Sequence, residues 1–156
     1  MRPKSVGPMI RKAVKDDEPA VRNCAESAYL RYVAAIGRKP APMVADFGAQ
    51  IAAGQVCVAL GPDNNLLGFI VFFPQEQHMF IENVAVRPEA AGRGIGKSLI
   101  RHCEAEARRL GLPDVRLYTN EKMVDNLSIY SHLGYAEVDR RTEHGFKRVF
   151  FEKRLE

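Results

Sequence analysis

The residues best suited to chemistry run from Val84 to Ser98 and read Val-Ala-Val-Arg-Pro-Glu-Ala-Ala-Gly-Arg-Gly-Ile-Gly-Lys-Ser. An apolar strand-like run stops before Pro88, glycines follow at positions 92, 94 and 96, and an amphipathic helical stretch then begins. Strand, turn and helix start in that order suit an anion. The first N–H groups of a helix have no partner within it, the helix dipole adds partial positive charge, and glycine lets a bulky phosphate approach the backbone. Gly92, Arg93, Gly94, Ile95, Gly96, Lys97 and Ser98 are therefore candidate phosphate-binding residues, with Arg87 and Arg101 extending a basic cluster around them. A tight strand-to-helix connection alone would explain the glycines but not the cations beside them.

Two familiar phosphate motifs fit this segment poorly. A P-loop, Gly-x-x-x-x-Gly-Lys-Ser/Thr, requires glycine five residues before Gly96, where the chain has Ala91. A dinucleotide fingerprint, Gly-x-G-x-x-Gly, is not matched by glycines at every second position, and no acidic ribose ligand follows in the expected setting. The same residues resemble a segment of the GNAT family of N-acetyltransferases. The segment resembles that family's Gln/Arg-x-x-Gly-x-Gly/Ala signature, which opens the helix after the fourth strand; Gly94-Ile95-Gly96 supplies its glycines and Ala91 stands where glutamine or arginine is usual.

Asn120 to Tyr135 resembles the family's second motif, Asn-x-x-Ala/Ser-x-x-x-Tyr-x-x-x-Gly-Phe/Tyr, with shorter spacing between Asn126 and Tyr130. These two side chains share one helix face at i,i+4. The resemblance implies acetyl-CoA as acyl donor and an amine as acceptor. It assigns Asn126 to the pantetheine arm or a nearby backbone group and makes Tyr130 the acid that protonates the departing thiolate. A phenol, with a reference pKa of about 10, carries the proton that role needs. It also implies that the backbone of Val84, Ala85 and Val86 pairs with the pantetheine amides and polarises the thioester carbonyl. The amine must lose a proton before it attacks, and Glu82, an acid within an otherwise apolar strand, is the first candidate to accept it. Glu121 and a chain of waters are the alternatives for that base. For the whole chain, the alternative from another class is a regulatory module that binds acyl-CoA without chemistry. No metal is expected.

Positioning these residues requires a series of elements that the pattern supplies. Strands are expected over 9–14, 55–60, 66–73, 78–86, 115–120, 135–143 and 146–155, and helices from Asp16 to about Tyr32 and over 44–53, 94–110 and 124–133. Within the third helix Ile95, Leu99, Ile100, Cys103, Ala107 and Leu110 form the apolar stripe, and Glu104 with Arg108 reads as an i,i+4 pair on its wetter side. Together with the resemblance, this order predicts one α/β (α+β) domain over 9–156. Its central, mostly antiparallel sheet of six to seven strands would splay between the fourth and fifth, with about four helices flanking it and residues 1–8 as a loose tail. Tyr29 to Phe47 and Arg140 to Phe146 are expected to form the acceptor side.

Composition narrows the remaining classes. The chain has 156 residues, of which 46% are hydrophobic and 27% charged, as in ordinary globular domains. No stretch approaches the ~20 apolar residues of a membrane span. The net charge of +4 comes from cations interleaved with 19 acids, which argues against a nucleic-acid surface. Cys24, Cys57 and Cys103 lack a Cys-x-x-Cys spacing and lie among apolar residues, so they read as reduced core thiols of a cytoplasmic protein. An exposed closing strand is compatible with a homodimer. The identity of the amine is not legible.

Overall fold

The computed structural model describes residues 8–156, so all but the last residue of the expected tail lies outside the described residues. Strands β1 (Met9–Lys12), β2 (Val56–Leu60), β3 (Leu66–Gln75), β4 (His78–Val86), β5 (Asp114–Asn120), β6 (Ala136–Glu143) and β7 (Phe146–Arg154) form one sheet in the order β1-β2-β3-β4-β5-β7-β6. Helices α1 (Glu18–Ile36), α2 (Phe47–Ala52), α3 (Ile95–Arg109) and α4 (Val124–His132) flank it. Every neighbouring pair is antiparallel except β4 and β5.

Local chemistry sets the element ends. α1 continues about a turn past the expected stop at Tyr32, because the first residue able to take the left-handed conformation is Gly37 (φ 91°), whose N–H bonds the Val33 carbonyl at 2.8 Å. α2 starts later than expected, at Phe47, since Asp46 caps it by accepting the Ala49 N–H at 3.0 Å. β3 runs through Pro74 to Gln75 and reverses at Glu76 (φ 57°) and Gln77. His144 and Gly145 (φ 52° and 81°) turn β6 into β7 as the sequence predicts.

The sheet opens where the site must be. β4 pairs with β5 only at Met79–Val115, Phe80–Arg116 and Ile81–Leu117, after which the strands part. At that point β4 carries an extra residue: Val71 faces Asn83 and Phe72 faces Ile81, so Glu82 has no partner in β3. Such a bulge bends its strand and re-aims side chains. The expected splay therefore coincides with Glu82. Behind the bent strand, Gly68 of β3 lies so close that a Cβ there would come within 2.6 Å of the Ala85 carbonyl oxygen.

α1 and α2 cover one face of the sheet, with Phe47 edge-on to Phe69 at 5.5 Å. α3 and Tyr130 of α4 cover the other, against Ile70, Met79 and Ile81. Glu104 departs from the expected wet-side pair with Arg108. It is 4% exposed and accepts hydrogen bonds from the Tyr135 hydroxyl at 2.8 Å and Lys153 Nζ at 3.1 Å. The buried sector of α3 is wider than its apolar residues, and the two donors from β7 and the α4–β6 connection make that carboxylate tolerable.

Candidate active site

Gly92 (φ 82°) and Gly94 (φ 77°) both take left-handed conformations that side chains disfavour, and Gly94 is the N-cap of α3. No side chain caps the helix. Its first intrahelical bond runs from Ser98 N–H to the Gly94 carbonyl at 3.0 Å, so the N–H groups of Ile95, Gly96 and Lys97 lie ahead of the ladder. A Cβ on Gly94 would meet nothing within 4 Å, which places that residue against open space.

This helix start borders a cleft of about 720 Å³. Of the residues predicted to hold the donor, Val84, Ala85, Val86, Gly92, Gly94, Ile95, Gly96, Lys97, Asn126 and Tyr130 line it, whereas Arg93 and Ser98 do not. Arg93 is exposed, and Ser98 sits a turn into α3. The basic cluster also divides. Lys97 and Arg101 face the cleft, but Arg87 turns away, donating to the Leu66 carbonyl at 2.7 Å and to Asn23 Oδ1 at 2.6 Å. Arg87 thus ties the end of β4 to β3 and α1 instead of offering charge to an anion.

A second, smaller pocket of about 110 Å³ lies where β4 and β5 part. Glu82, Asn83, Tyr118, Asn120, Phe146 and Arg148 line it, with the Pro40–Pro42 segment on the other side. Tyr29, Val84, Asn126 and Tyr130 belong to the walls of both cavities. They form the place where a group could pass from one to the other.

Each of these groups is held by the fold. The Tyr130 ring packs against Tyr135 at 6.1 Å and Phe151 at 5.6 Å, and burial pushes its phenol well above the ordinary value, so it carries a proton at neutral pH. The Tyr29 hydroxyl lies 2.7 Å from Asn83 Oδ1 and 2.9 Å from the Val84 carbonyl, while Asn83 Nδ2 donates to the Pro42 carbonyl at 3.0 Å. Those bonds lock β4 just past its bulge. Gln50 Nε2 donates to the Glu82 carboxylate and leaves its own buried carbonyl oxygen without a partner. Glu121, the alternative base, does not line either cavity and lies 4.0 Å from Arg140. None of the three cysteines lines either cavity; burial raises all three thiols, Cys24 to about 12. Among the described residues, no three His, Cys, Asp or Glu side chains gather as metal ligands would.

A model of the acetyltransferase (GNAT) family matches residues 20–135, the greater part of the chain. The chain belongs to that family. The match takes in the splayed strand, the glycine turn and the helix that carries Tyr130. A streptothricin acetyltransferase of Streptomyces lavendulae is 31% identical over 87 residues, which is 54% of this chain and 46% of that protein, so the chain matches less than half the length of this relative. PaiA N-acetyltransferase of Thermoplasma acidophilum, solved in complex with coenzyme A, superposes with a TM-score of 0.79 at 19% identity, covering 96% of this chain and all of that one. The ribosomal-protein-S18-alanine N-acetyltransferase of Escherichia coli superposes with a TM-score of 0.73 at 15% identity, covering 94% and 92%. At those identities the likeness is one of fold.

Two contacts of this GNAT site were not legible in the sequence. Tyr29 opens the segment expected on the acceptor side, and only the tertiary fold brings its hydroxyl to Asn83 and the Val84 carbonyl. Arg148 lay in a strand rich in charge, with no local signal to separate it from Lys147 or Lys153.

Proposed function

We propose that this GNAT protein transfers an acyl group, acetyl in the first instance, from coenzyme A to a primary amine by direct attack. The observation that carries the reading is that the two cavities share a wall formed by Tyr29, Val84, Asn126 and Tyr130. The larger cavity has an uncapped helix start suited to the donor's pyrophosphate. An acyl-CoA laid there reaches the shared wall with its thioester, and the unpaired edge of β4 beyond Ile81 offers backbone groups to its amide-bearing arm. The PaiA protein solved with coenzyme A and the streptothricin acetyltransferase homologue support the donor and the acyl transfer.

The amine enters through the small pocket and gives its proton to Glu82. Its nitrogen then forms a bond to the thioester carbon, and backbone N–H groups of Val84 to Val86 stabilise the developing oxyanion. The carbon–sulfur bond breaks, the phenol of Tyr130 protonates the leaving thiolate, and the second proton of the nitrogen leaves to restore the phenol by way of solvent, while Glu82 returns its own proton to solvent. Since no thiol of the chain reaches either cavity, the transfer needs no acyl-enzyme. Incubation with acetyl-CoA and a panel of amines, with the released coenzyme A thiol measured, tests this directly. Amine-dependent release with a matching N-acetyl product is expected. Acetyl-CoA binding without release on any amine would leave a binding module and defeat the catalytic reading.

A further inference from the structure

Arg148 gives the small pocket a recognition element beyond its base. Its side chain is 11% exposed, lies at 4.4 Å over the Tyr118 ring and faces Phe146 at 5.8 Å. Nη1 donates to Glu143 Oε1 at 2.9 Å, and among the described residues no other acceptor bonds the guanidinium. A guanidinium has five N–H donors, and those that Glu143 does not use are open to whatever fills the pocket, since no Arg148 nitrogen is buried without a partner. Arg141 also reaches the Glu143 carboxylate, at 3.5 Å, but is paired more closely with Asp139 at 2.9 Å, so Glu143 serves chiefly Arg148. Arg38, outside the pocket lining, lies 3.8 Å over Phe146 and donates to the His144 carbonyl, which fixes that ring of the wall. The pocket wall thus carries one carboxylate, Glu82, and one guanidinium, Arg148.

We propose that the acceptor is a small aminocarboxylate, its amine presented to Glu82 and its carboxylate held by Arg148. This rests on the acyl transfer proposed above and narrows its acceptor. A simple amine would answer Glu82 and leave the guanidinium unmatched. A diamine would set its second ammonium against Arg148, a like-charge contact. The planar fork of arginine fits a carboxylate with two parallel bonds, and about 110 Å³ admits a small head group in place of a bulky ring system. The reaction conserves the carboxylate; the ammonium nitrogen gains the acyl group and gives up two protons, one to Glu82 and one that offsets the proton Tyr130 gives to the thiolate.

Matched pairs that differ only by the carboxylate test the proposal: L-alanine against ethylamine, γ-aminobutyrate against propylamine, and L-methionine against 3-(methylthio)propylamine. Both members of each pair are assayed for acetyl transfer and for binding to the coenzyme A-loaded protein. The carboxylate member of at least one pair is expected to have a kcat/KM roughly tenfold to a hundredfold higher, the range of a charge-assisted pair. Arg148→Gln should raise KM for that member by a similar factor with a smaller change in kcat, and Arg148→Lys should recover part of it. Unchanged acetyl-CoA affinity in both variants shows that they remain folded. Equal or better use of the plain amines overturns the aminocarboxylate while acyl transfer stands, and so does a panel in which no carboxylate member is acetylated or bound. Failure to bind acetyl-CoA at all would fall on the acyl-transfer reading instead.

Discussion

Tyr130 combines the features a general acid needs at the junction of the cavities. Desolvation keeps its phenol protonated, and the rings of Tyr135 and Phe151 fix its direction. Tyr130→Phe should lower kcat by about a hundredfold or more, the usual contribution of a positioned proton donor, while acetyl-CoA affinity changes little. Pre-steady-state thiol release and calorimetry separate the two effects; unchanged turnover would remove Tyr130 from the acid role. Glu82→Gln keeps the shape and removes the proposed proton acceptor. It should lower amine turnover at fixed pH without weakening acetyl-CoA binding, and retention of full turnover would pass the base to a water chain.

At the scale of elements, the glycines of the turn and of β3 perform different tasks. Gly94 needs its left-handed backbone and faces open space, so Gly94→Asp adds strain and a negative charge where the donor's phosphates would lie. Gly68 supports the bent strand from behind. Gly68→Ala should destabilise the fold by roughly 2 kcal/mol or more through overpacking against the Ala85 carbonyl, measured by denaturant unfolding. The strand and helix order was legible because hydrophobic period and turn residues mark each element locally, and the Gly94-Ile95-Gly96 signature pointed to the helix start. Element ends were less legible. Gly37 and Asp46 decide them through single cap geometries, and Pro74 sits inside its strand. The bulge at Glu82 arises from register between strands, and Arg87, though beside the turn, is claimed by Leu66 and Asn23. No spacing along the chain displays either fact.

For the molecule as a whole, buried ionisable groups set the pH response. Burial raises the phenols of Tyr29, Tyr130 and Tyr135 and the thiols of Cys24, Cys57 and Cys103. A raised pKa in the folded state means that the native protein holds protons the unfolded chain has released. Their stabilising effect is therefore complete below the unfolded values, about 8.5 for cysteine and 10 for tyrosine, and is lost as pH rises above them. Unfolding midpoints in urea should fall steadily above about pH 9; a flat profile to pH 11 would contradict this linkage. Glu104 supplies the complementary test of the core. Lys153→Met leaves its carboxylate buried with only the Tyr135 hydroxyl, and should cost about 3 kcal/mol or more of unfolding free energy.

The account depends first on the donor site, and isothermal calorimetry with acetyl-CoA on the wild-type protein and on Gly94→Asp tests it most directly. Micromolar binding by the wild type that is lost in a folded Gly94→Asp protein is the predicted result. Absence of binding to acetyl-CoA and to longer acyl-CoAs by the folded wild type, or equal binding by both proteins, would contradict the assignment of the glycine turn and its cleft to the acyl donor.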